Sequence, residues 1–135
     1  MTPTQHPLAF IYDRLATVNR VILQLRLETC AQYAGAQGWQ IGGWFVDEGD
    51  DALTTDRRPA FDAMCNTIRA AGVDAPRVCL LHDWDRLSRD KETCGLLTGR
   101  VLRLGARVET CFGEQRRPDG IWVQRARPAT TPTIA

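Results

Sequence analysis

The chain has 135 residues and a net charge of +1 at neutral pH, which is the size of one domain without a strong overall attraction to nucleic acid. Apolar residues make up 44% and charged residues 24%, as in ordinary soluble globular proteins. No apolar stretch approaches the ~20 residues of a membrane span. The polar residues 1–7 lack the apolar segment of a secretory signal.

The cysteines are odd in number and widely spaced, and no CxxC pair occurs. This pattern predicts neither a zinc site nor a disulfide framework. We interpret the cysteines as small buried side chains of a cytoplasmic protein. They are Cys30, Cys65, Cys79, Cys94 and Cys111.

The first half of the chain predicts two strands and two helices. Residues 8–12 are a short apolar run and predict a buried strand, and residues 40–46 predict a second one. Apolar residues at helical spacing predict a helix over residues 21–37, which is followed by glycine. A second helix is predicted over residues 59–72, because Pro59 suits the first position of a helix.

The second half continues the alternation of strands and helices. Residues 77–82 are almost continuously apolar, as in a parallel strand that is covered on both faces. A helix follows over residues 91–104, then a fourth strand over residues 106–111 and a candidate fifth over residues 120–124. The order predicts an α/β fold, a three-layer sandwich around a mostly parallel sheet of four to five strands.

Binding sites of such sheets lie at the carboxyl ends of the strands. The loops that leave these ends, residues 13–20, 47–58 and 83–90, are rich in arginine and aspartate. Neither GxGxxG nor GxxxxGK[ST] occurs, so the sequence gives no support for a nucleotide-binding glycine loop.

Four short segments occur in an order and spacing that are specific when they are taken together. They are residues 12–17 (YDRLAT), 30–34 (CAQYA) followed by Gly38-Trp39, 55–61 (TDRRPAF) and 85–90 (DRLSRD). Together they resemble the catalytic domain of serine recombinases of the resolvase/invertase class. The resemblance extends over about residues 8–112 and implies the resolvase-like version of the predicted fold.

The resemblance also implies a chemistry. In this family a serine hydroxyl attacks a DNA phosphodiester and forms a phosphoserine link. Guanidinium groups stabilise the negative charge that spreads over the phosphate oxygens in the transition state, through charge-assisted hydrogen bonds. This chemistry requires no metal and no other cofactor.

Matching segment by segment assigns the phosphate-binding and catalytic cluster to Arg14, Arg58, Arg86 and Arg89. Arg57 competes with Arg58 for its position, and we favour Arg58 because the family arginine directly precedes the start of the helix. By the same resemblance, Asp85 orients the arginines and Tyr12 packs beneath the site.

The sequence departs from the family at the nucleophile. The family serine stands two residues after the arginine of the first loop, and here that residue is Ala16. A methyl group cannot attack phosphorus. Thr17 is a poor substitute because neighbouring loop residues point in different directions, and Ser88 already belongs to the DRLSRD segment. Asp50 and Asp51 replace the Ser-Gly of the second loop and repel a phosphate.

We therefore expect a resolvase-like domain over residues 1–112 and a short extension over residues 113–135. The extension holds the candidate extra strand and a disordered tail, and it has neither the long dimerisation helix nor the DNA-binding domain of the family. We predict an inactive domain that modulates recombination. Its predicted partners are DNA, bound weakly through phosphates, or a full-length serine recombinase, and its oligomeric state is left open.

Two alternatives stay open. In the first, Ala16 is an engineered Ser→Ala change in an active-type domain. In the second, the protein is a Mg²⁺-dependent phosphodiesterase or nuclease that uses Asp83 and Asp85. Among the four tryptophans, Trp84 lies in a candidate site loop and is the one to test for stacking on bases.

Overall fold

The computed structural model describes residues 6–15, 19–48 and 58–125. The strands of this part are β1 (Leu8–Leu15), β2 (Gln40–Glu48), β3 (Arg77–Leu81), β4 (Arg107–Thr110), β5 (Glu114–Arg116) and β6 (Trp122–Gln124). The helices are α1 (Arg20–Gln37), α2 (Pro59–Ala71) and α3 (Lys91–Arg103), and a short 3₁₀ helix, Trp84–Arg86, follows β3.

All described strands belong to one sheet in the order β2-β1-β3-β4-β5-β6. The first four strands are parallel, and β5 and β6 form an antiparallel hairpin at the edge. The predicted α/β fold with a mostly parallel sheet is confirmed. The sheet has one more strand than the sequence predicted, because β5 is too short and polar to show a period of its own.

The helices cover both faces of the sheet, and the alternation of side chains along β1 explains how. Ala9 and Ile11 point to one face and pack with Cys30 and Ala34 of α1. Phe10 and Tyr12 point to the other face, where α2 and α3 supply the apolar partners. The result is the predicted three-layer arrangement, in which β1 and β3 are buried on both sides.

Local sequence explains where the helices begin and end. The Asn19 side chain accepts a hydrogen bond from the Ile22 N–H at the start of α1, and Asp90 does the same for Thr93 at the start of α3. Gly38 ends α1 with φ of 78°, which glycine adopts without strain. Within the described residues no helix is long and apolar enough to cross a membrane.

The unequal lengths of the central strands create room for a site. β1 pairs with β2 as far as Leu15 and Glu48, but its pairing with β3 ends at Tyr12 and Leu81. The last residues of β1 therefore extend past the end of β3. The 3₁₀ helix lies beside this extension and takes the place of a neighbouring strand.

Candidate functional site

Two predicted arginines join the end of β1 to the loop that follows β3. Arg86 donates a hydrogen bond from Nη1 to the Arg14 carbonyl oxygen at 3.0 Å. In the opposite direction, Arg14 donates from Nη2 to the Asp85 carbonyl oxygen at 3.3 Å. These bonds replace the strand pairing that β3 no longer provides, and they hold the two arginines side by side at the carboxyl edge of the sheet.

Arg58 reaches the same loop from α2. It is the residue that precedes Pro59 at the start of the helix, and it is buried. Its Nη1 donates a hydrogen bond to the Leu87 carbonyl oxygen. Arg58, at the end of the second loop (residues 47–58), thus contacts the segment that contains Arg86.

The electrostatic surroundings of Arg14 show how close the guanidinium groups lie. Burial lowers the pKa of Arg14, and the positive charge of Arg58 lowers this pKa further. Arg86 and Arg89 act in the same direction, whereas Tyr12 raises the pKa. Hydrogen bonds to residues 85–87 hold Arg14 and Arg58 at one edge of the sheet beside Arg86, and Arg89 adds its positive charge from the same loop.

The carboxylates beside this cluster are Asp83 and Asp13. Asp83 accepts a hydrogen bond from Arg86 Nε at 3.3 Å, and an Asp13 oxygen lies 3.8 Å from Arg86 Nη1. Asp85 is exposed and serves Arg14 with its main-chain carbonyl. Asp13 is held in place by Arg26, whose Nε and Nη2 each donate to one carboxylate oxygen at 2.8 Å. Sequence reasoning did not predict the pairing of Arg26 with Asp13, and the place of Arg26 on the inner face of α1 is the signal that could have found this pair.

Asp83 carries the clearest pKa shift among these acids. Burial raises its pKa, but the hydrogen bond from His82 and the charge and hydrogen bond of Arg86 outweigh that effect, so the pKa is lowered. His82 Nδ1 lies 2.7 Å from an Asp83 oxygen. Another Asp83 oxygen accepts from the Asp85 N–H at the start of the 3₁₀ helix. Asp83 thus fixes the loop by its negative charge.

Tyr12 lies beneath the cluster and is fully buried. Its hydroxyl donates to Asp47 Oδ2 at 2.7 Å, and its ring meets the edge of Phe61 at a centroid distance of 5.2 Å. Burial and Asp47 raise the pKa of Tyr12, so it stays neutral. Asp47 also accepts from the main-chain N–H groups of Ala60 and Phe61. This carboxylate ties β1 and β2 to the start of α2 and so helps to position Arg58.

Several predicted site residues lie outside the described residues: Ala16, Thr17, Arg57, Asp50 and Asp51. Ser88 is described, and its hydroxyl oxygen accepts a hydrogen bond from the Asp90 N–H at 3.1 Å. This contact stabilises the turn that leads into α3, so the single serine of the sequence has a structural role.

The described residues contain no group of three or more His, Cys, Asp or Glu side chains that could hold a metal ion. Of the two acids in the metal hypothesis, Asp83 is occupied by His82 and Arg86. The chemistry of this edge of the sheet is that of guanidinium donors, which suit phosphate oxygens.

Comparison with known proteins bears on the family and the fold. The model of the family described as "Resolvase, N terminal domain" matches residues 9–123. No curated protein gives a significant match.

Three solved structures are similar. The N-terminal catalytic domain of TP901-1 integrase is 24% identical and has a TM-score of 0.59, covering 88% of this chain and 83% of its own. The C-terminal catalytic domain of ISC1926 TnpA, an IS607-like serine recombinase, is 22% identical with a TM-score of 0.65, covering 78% and 68%. A resolvase family site-specific recombinase from Streptococcus pneumoniae is 15% identical with a TM-score of 0.64, covering 91% and 79%.

Proposed function

The chain belongs to the resolvase N-terminal domain family, and from this premise we propose that it binds the DNA backbone through its arginine cluster without cutting a strand. In this proposal it is a recombination-related, cytoplasmic modulator and not a recombinase. It acts by occupying phosphates or by binding a full-length serine recombinase.

The observation that carries the proposal is the crowding of positive charge around Arg14. Arg58 donates to a neutral main-chain carbonyl, so this contact leaves its positive charge in place. Arg86 also donates to a carbonyl, but Asp83 and Asp13 lie beside it. A phosphate diester supplies the negative charge and the acceptor oxygens that such a group of guanidiniums favours. Binding of this kind is independent of base sequence and weakens as salt rises.

The absence of cleavage follows from the residue at the nucleophile position. The family resemblance puts Ala16 there, and strand cleavage needs an oxygen that is aligned for in-line attack on phosphorus. Arginines that stabilise a transition state contribute nothing when no attack takes place. Ser88 is bound to the start of α3, which argues against its use as a replacement.

Binding is tested with a fluorescent 30-base-pair duplex and anisotropy at 50 and 200 mM NaCl. We expect the wild-type chain to bind and to lose at least tenfold in affinity over this range, since several phosphates are neutralised. Arg58→Met should abolish most of the binding. The matched control is Arg69→Met, which removes an exposed arginine of the same helix, α2, and should bind as wild type. Equal binding by the two variants contradicts the proposal.

Cleavage is tested on nicked and intact duplexes with a denaturing gel that detects covalent protein–DNA species. We expect no adduct from the wild-type chain and at most a trace from Ala16→Ser. A strong adduct from the wild-type chain overturns the inactive assignment and directs attention to Thr17 or Ser88. A strong adduct from Ala16→Ser alone supports the alternative that the chain is an active-type domain with its serine replaced.

A second candidate, binding to a full-length serine recombinase, is favoured by an apolar patch on α1. Val21 and Leu25 expose 70% and 58% of their surface, and Ile22 is exposed beside them. Contiguous apolar surface of this kind marks protein contacts. We expect the protein to change the rate of a purified full-length serine recombinase, and the double variant Val21→Gln/Leu25→Gln to lose that effect while it retains DNA binding.

A further inference from the structure

A cavity of about 450 Å³ lies beside the arginine cluster and is not used by the proposed backbone binding. It is enclosed by the loop after β3, the first half of α3 and the β5–β6 hairpin. Its size falls within the range of ~300–1,000 Å³ that is common for small-ligand sites. Most of the exposed wall surface is apolar, although six of the ten lining residues have polar or charged side chains.

Two tryptophans from distant parts of the sequence form one wall. The rings of Trp84 and Trp122 meet at a centroid distance of 5.4 Å and an angle of 68°. Trp84 belongs to the 3₁₀ helix and is partly buried, whereas Trp122 belongs to β6 and exposes 58% of its surface. Such an open aromatic face in a cavity offers a flat planar ligand a surface on which to stack.

The charges at the cavity are mainly positive. Arg89, Lys91 and Arg116 contribute cations, and Asp85 is the acid among its lining residues. The Arg116 guanidinium lies 5.0 Å from the centre of the Trp122 ring, and its buried Nε has no hydrogen-bond partner within the described residues. A ligand for this cavity therefore combines a planar aromatic part with negative charge.

The cavity and the arginine cluster share a boundary. Arg89 lines the cavity and also lowers the pKa of Arg14 by its charge. Asp85 lines the cavity, and its carbonyl accepts a hydrogen bond from Arg14. The cavity with the tryptophan wall therefore adjoins the arginine cluster through Asp85 and Arg89.

We propose that this cavity is a nucleotide site, in which an unpaired base stacks on the exposed ring of Trp122 with Trp84 beside it, while its phosphate lies at the arginine cluster. The inference rests on the proposed phosphate binding and adds recognition of an unstacked base. Base–aromatic stacking tolerates any sequence, because every base has a flat face. The same chemistry fits a base in a single-stranded DNA segment or a free nucleotide.

The test compares three probes by fluorescence anisotropy or by displacement. They are a labelled 12-nucleotide single strand, the same strand with abasic sites throughout, and free deoxynucleoside monophosphates as competitors. We expect the wild-type chain to bind the base-containing strand about 5- to 100-fold more tightly than the abasic strand, the range that stacking supplies. Trp122→Leu should remove this difference and leave binding to the abasic strand unchanged.

The matched control is Trp44→Leu. Trp44 exposes 47% of its surface, close to the value for Trp122, but it lies on β2 at the opposite edge of the sheet. This variant should bind both strands as wild type. Arg116→Gln provides a second test without loss of an aromatic ring, and we expect it to lower the preference for the base-containing strand.

The outcomes separate this inference from the proposed function. Equal binding of the two strands overturns the base site, while loss of binding in Arg58→Met still supports the backbone site. Failure of both strands to bind overturns both. If free nucleotides displace the labelled strand at a concentration similar to that of the strand itself, the cavity is a nucleotide site and its ligand is the free nucleotide.

Discussion

Two groups of arginines in this molecule are built in different ways. In the candidate site, Arg14, Arg58 and Arg86 donate to main-chain carbonyls. Next to β4, Arg107 and Arg125 donate instead to one fully buried carboxylate, Glu109. Tyr33 adds its hydroxyl to the same acid. We call this second group the Glu109 cluster.

The difference separates arginines that hold the fold from arginines that remain charged for a ligand. In the Glu109 cluster the acid lies inside the protein. Its hydrogen bonds with Arg125 attach the end of the β5–β6 hairpin to β4. In the candidate site the loop is held by main-chain carbonyl acceptors and by Asp83, which accepts from Arg86, and Asp13 lies beside Arg86. Arg58, which donates to a neutral carbonyl, is the member of the candidate site whose contact there leaves room for an external anion.

The largest expected effect comes from removal of the buried acid. Glu109→Ala leaves two arginines facing each other without their shared partner, and we expect it to lower the free energy of unfolding by about 3 kcal/mol. Urea unfolding measures the change. Glu92→Ala, an exposed acid on α3, is the control and should change the free energy by less than about 0.5 kcal/mol. Similar losses in the two variants contradict a structural role for the Glu109 cluster.

Sulfate should act on the candidate site and not on the Glu109 cluster. If the site binds sulfate with a dissociation constant of about 1 mM, then 10 mM sulfate stabilises the wild-type chain by about 1.4 kcal/mol over chloride at equal ionic strength. Arg58→Met should lose most of this gain, and Arg69→Met should keep it. Thermal unfolding supplies the measurement, and an unchanged gain in Arg58→Met shows that the anion binds elsewhere.

A smaller effect concerns pH. The folded-state pKa of Asp83 is lowered below the ordinary value of 3.8. The unfolded chain therefore takes up the proton first, and the stability from Asp83 is present above pH 4 and is lost as the pH falls through the lowered folded-state pKa. Because this side chain is partly exposed, we expect less than about 1 kcal/mol. Asp83→Asn should flatten the decline in stability between pH 5 and 2, and an unchanged decline speaks against this source.

The smallest effect is expected for Arg89, an exposed member of the candidate site. Arg89→Gln should alter the free energy of unfolding by less than about 0.5 kcal/mol and should slightly favour the folded state at low salt, because one like charge is removed from Arg14. Urea unfolding at 20 and 500 mM NaCl measures this. The small gain should vanish at high salt, whereas a clear loss at both concentrations assigns Arg89 to the fold.

The sequence predicted those elements well whose own residues determine their secondary structure. β3 is apolar after Arg77 and α2 has a clear apolar face beginning at Pro59, so both were found close to their observed ends. β5 depends on its neighbours. It has three residues, and its pairing with Val108 and Glu109 of β4 makes it a strand.

The sequence proposed members for the candidate site, but it could not predict their contacts. Family resemblance named Arg14, Arg58 and Arg86, whereas the acids that pair with Arg86 depend on how far β1 extends past β3. That extension is a tertiary property, and it makes Asp13 and Asp83 the neighbouring acids. The assignments of Ala16 and Arg57 concern residues outside those described, and they stay predictions.

The extension of β1 past β3 also sets how the molecule can open. Beyond Tyr12, the side of β1 that faces β3 is covered by the Arg86 side chain and not by a strand. The loop after β3 can therefore detach from β1 without breaking hydrogen bonds between strands. Native-state hydrogen exchange distinguishes such a local unit from the global transition. We expect the amide hydrogens of the 3₁₀ helix to exchange through a low-energy local opening, whereas those of β1 and β3 exchange only on complete unfolding. An anion bound at the arginines should slow the exchange of this loop, because it stabilises the closed form.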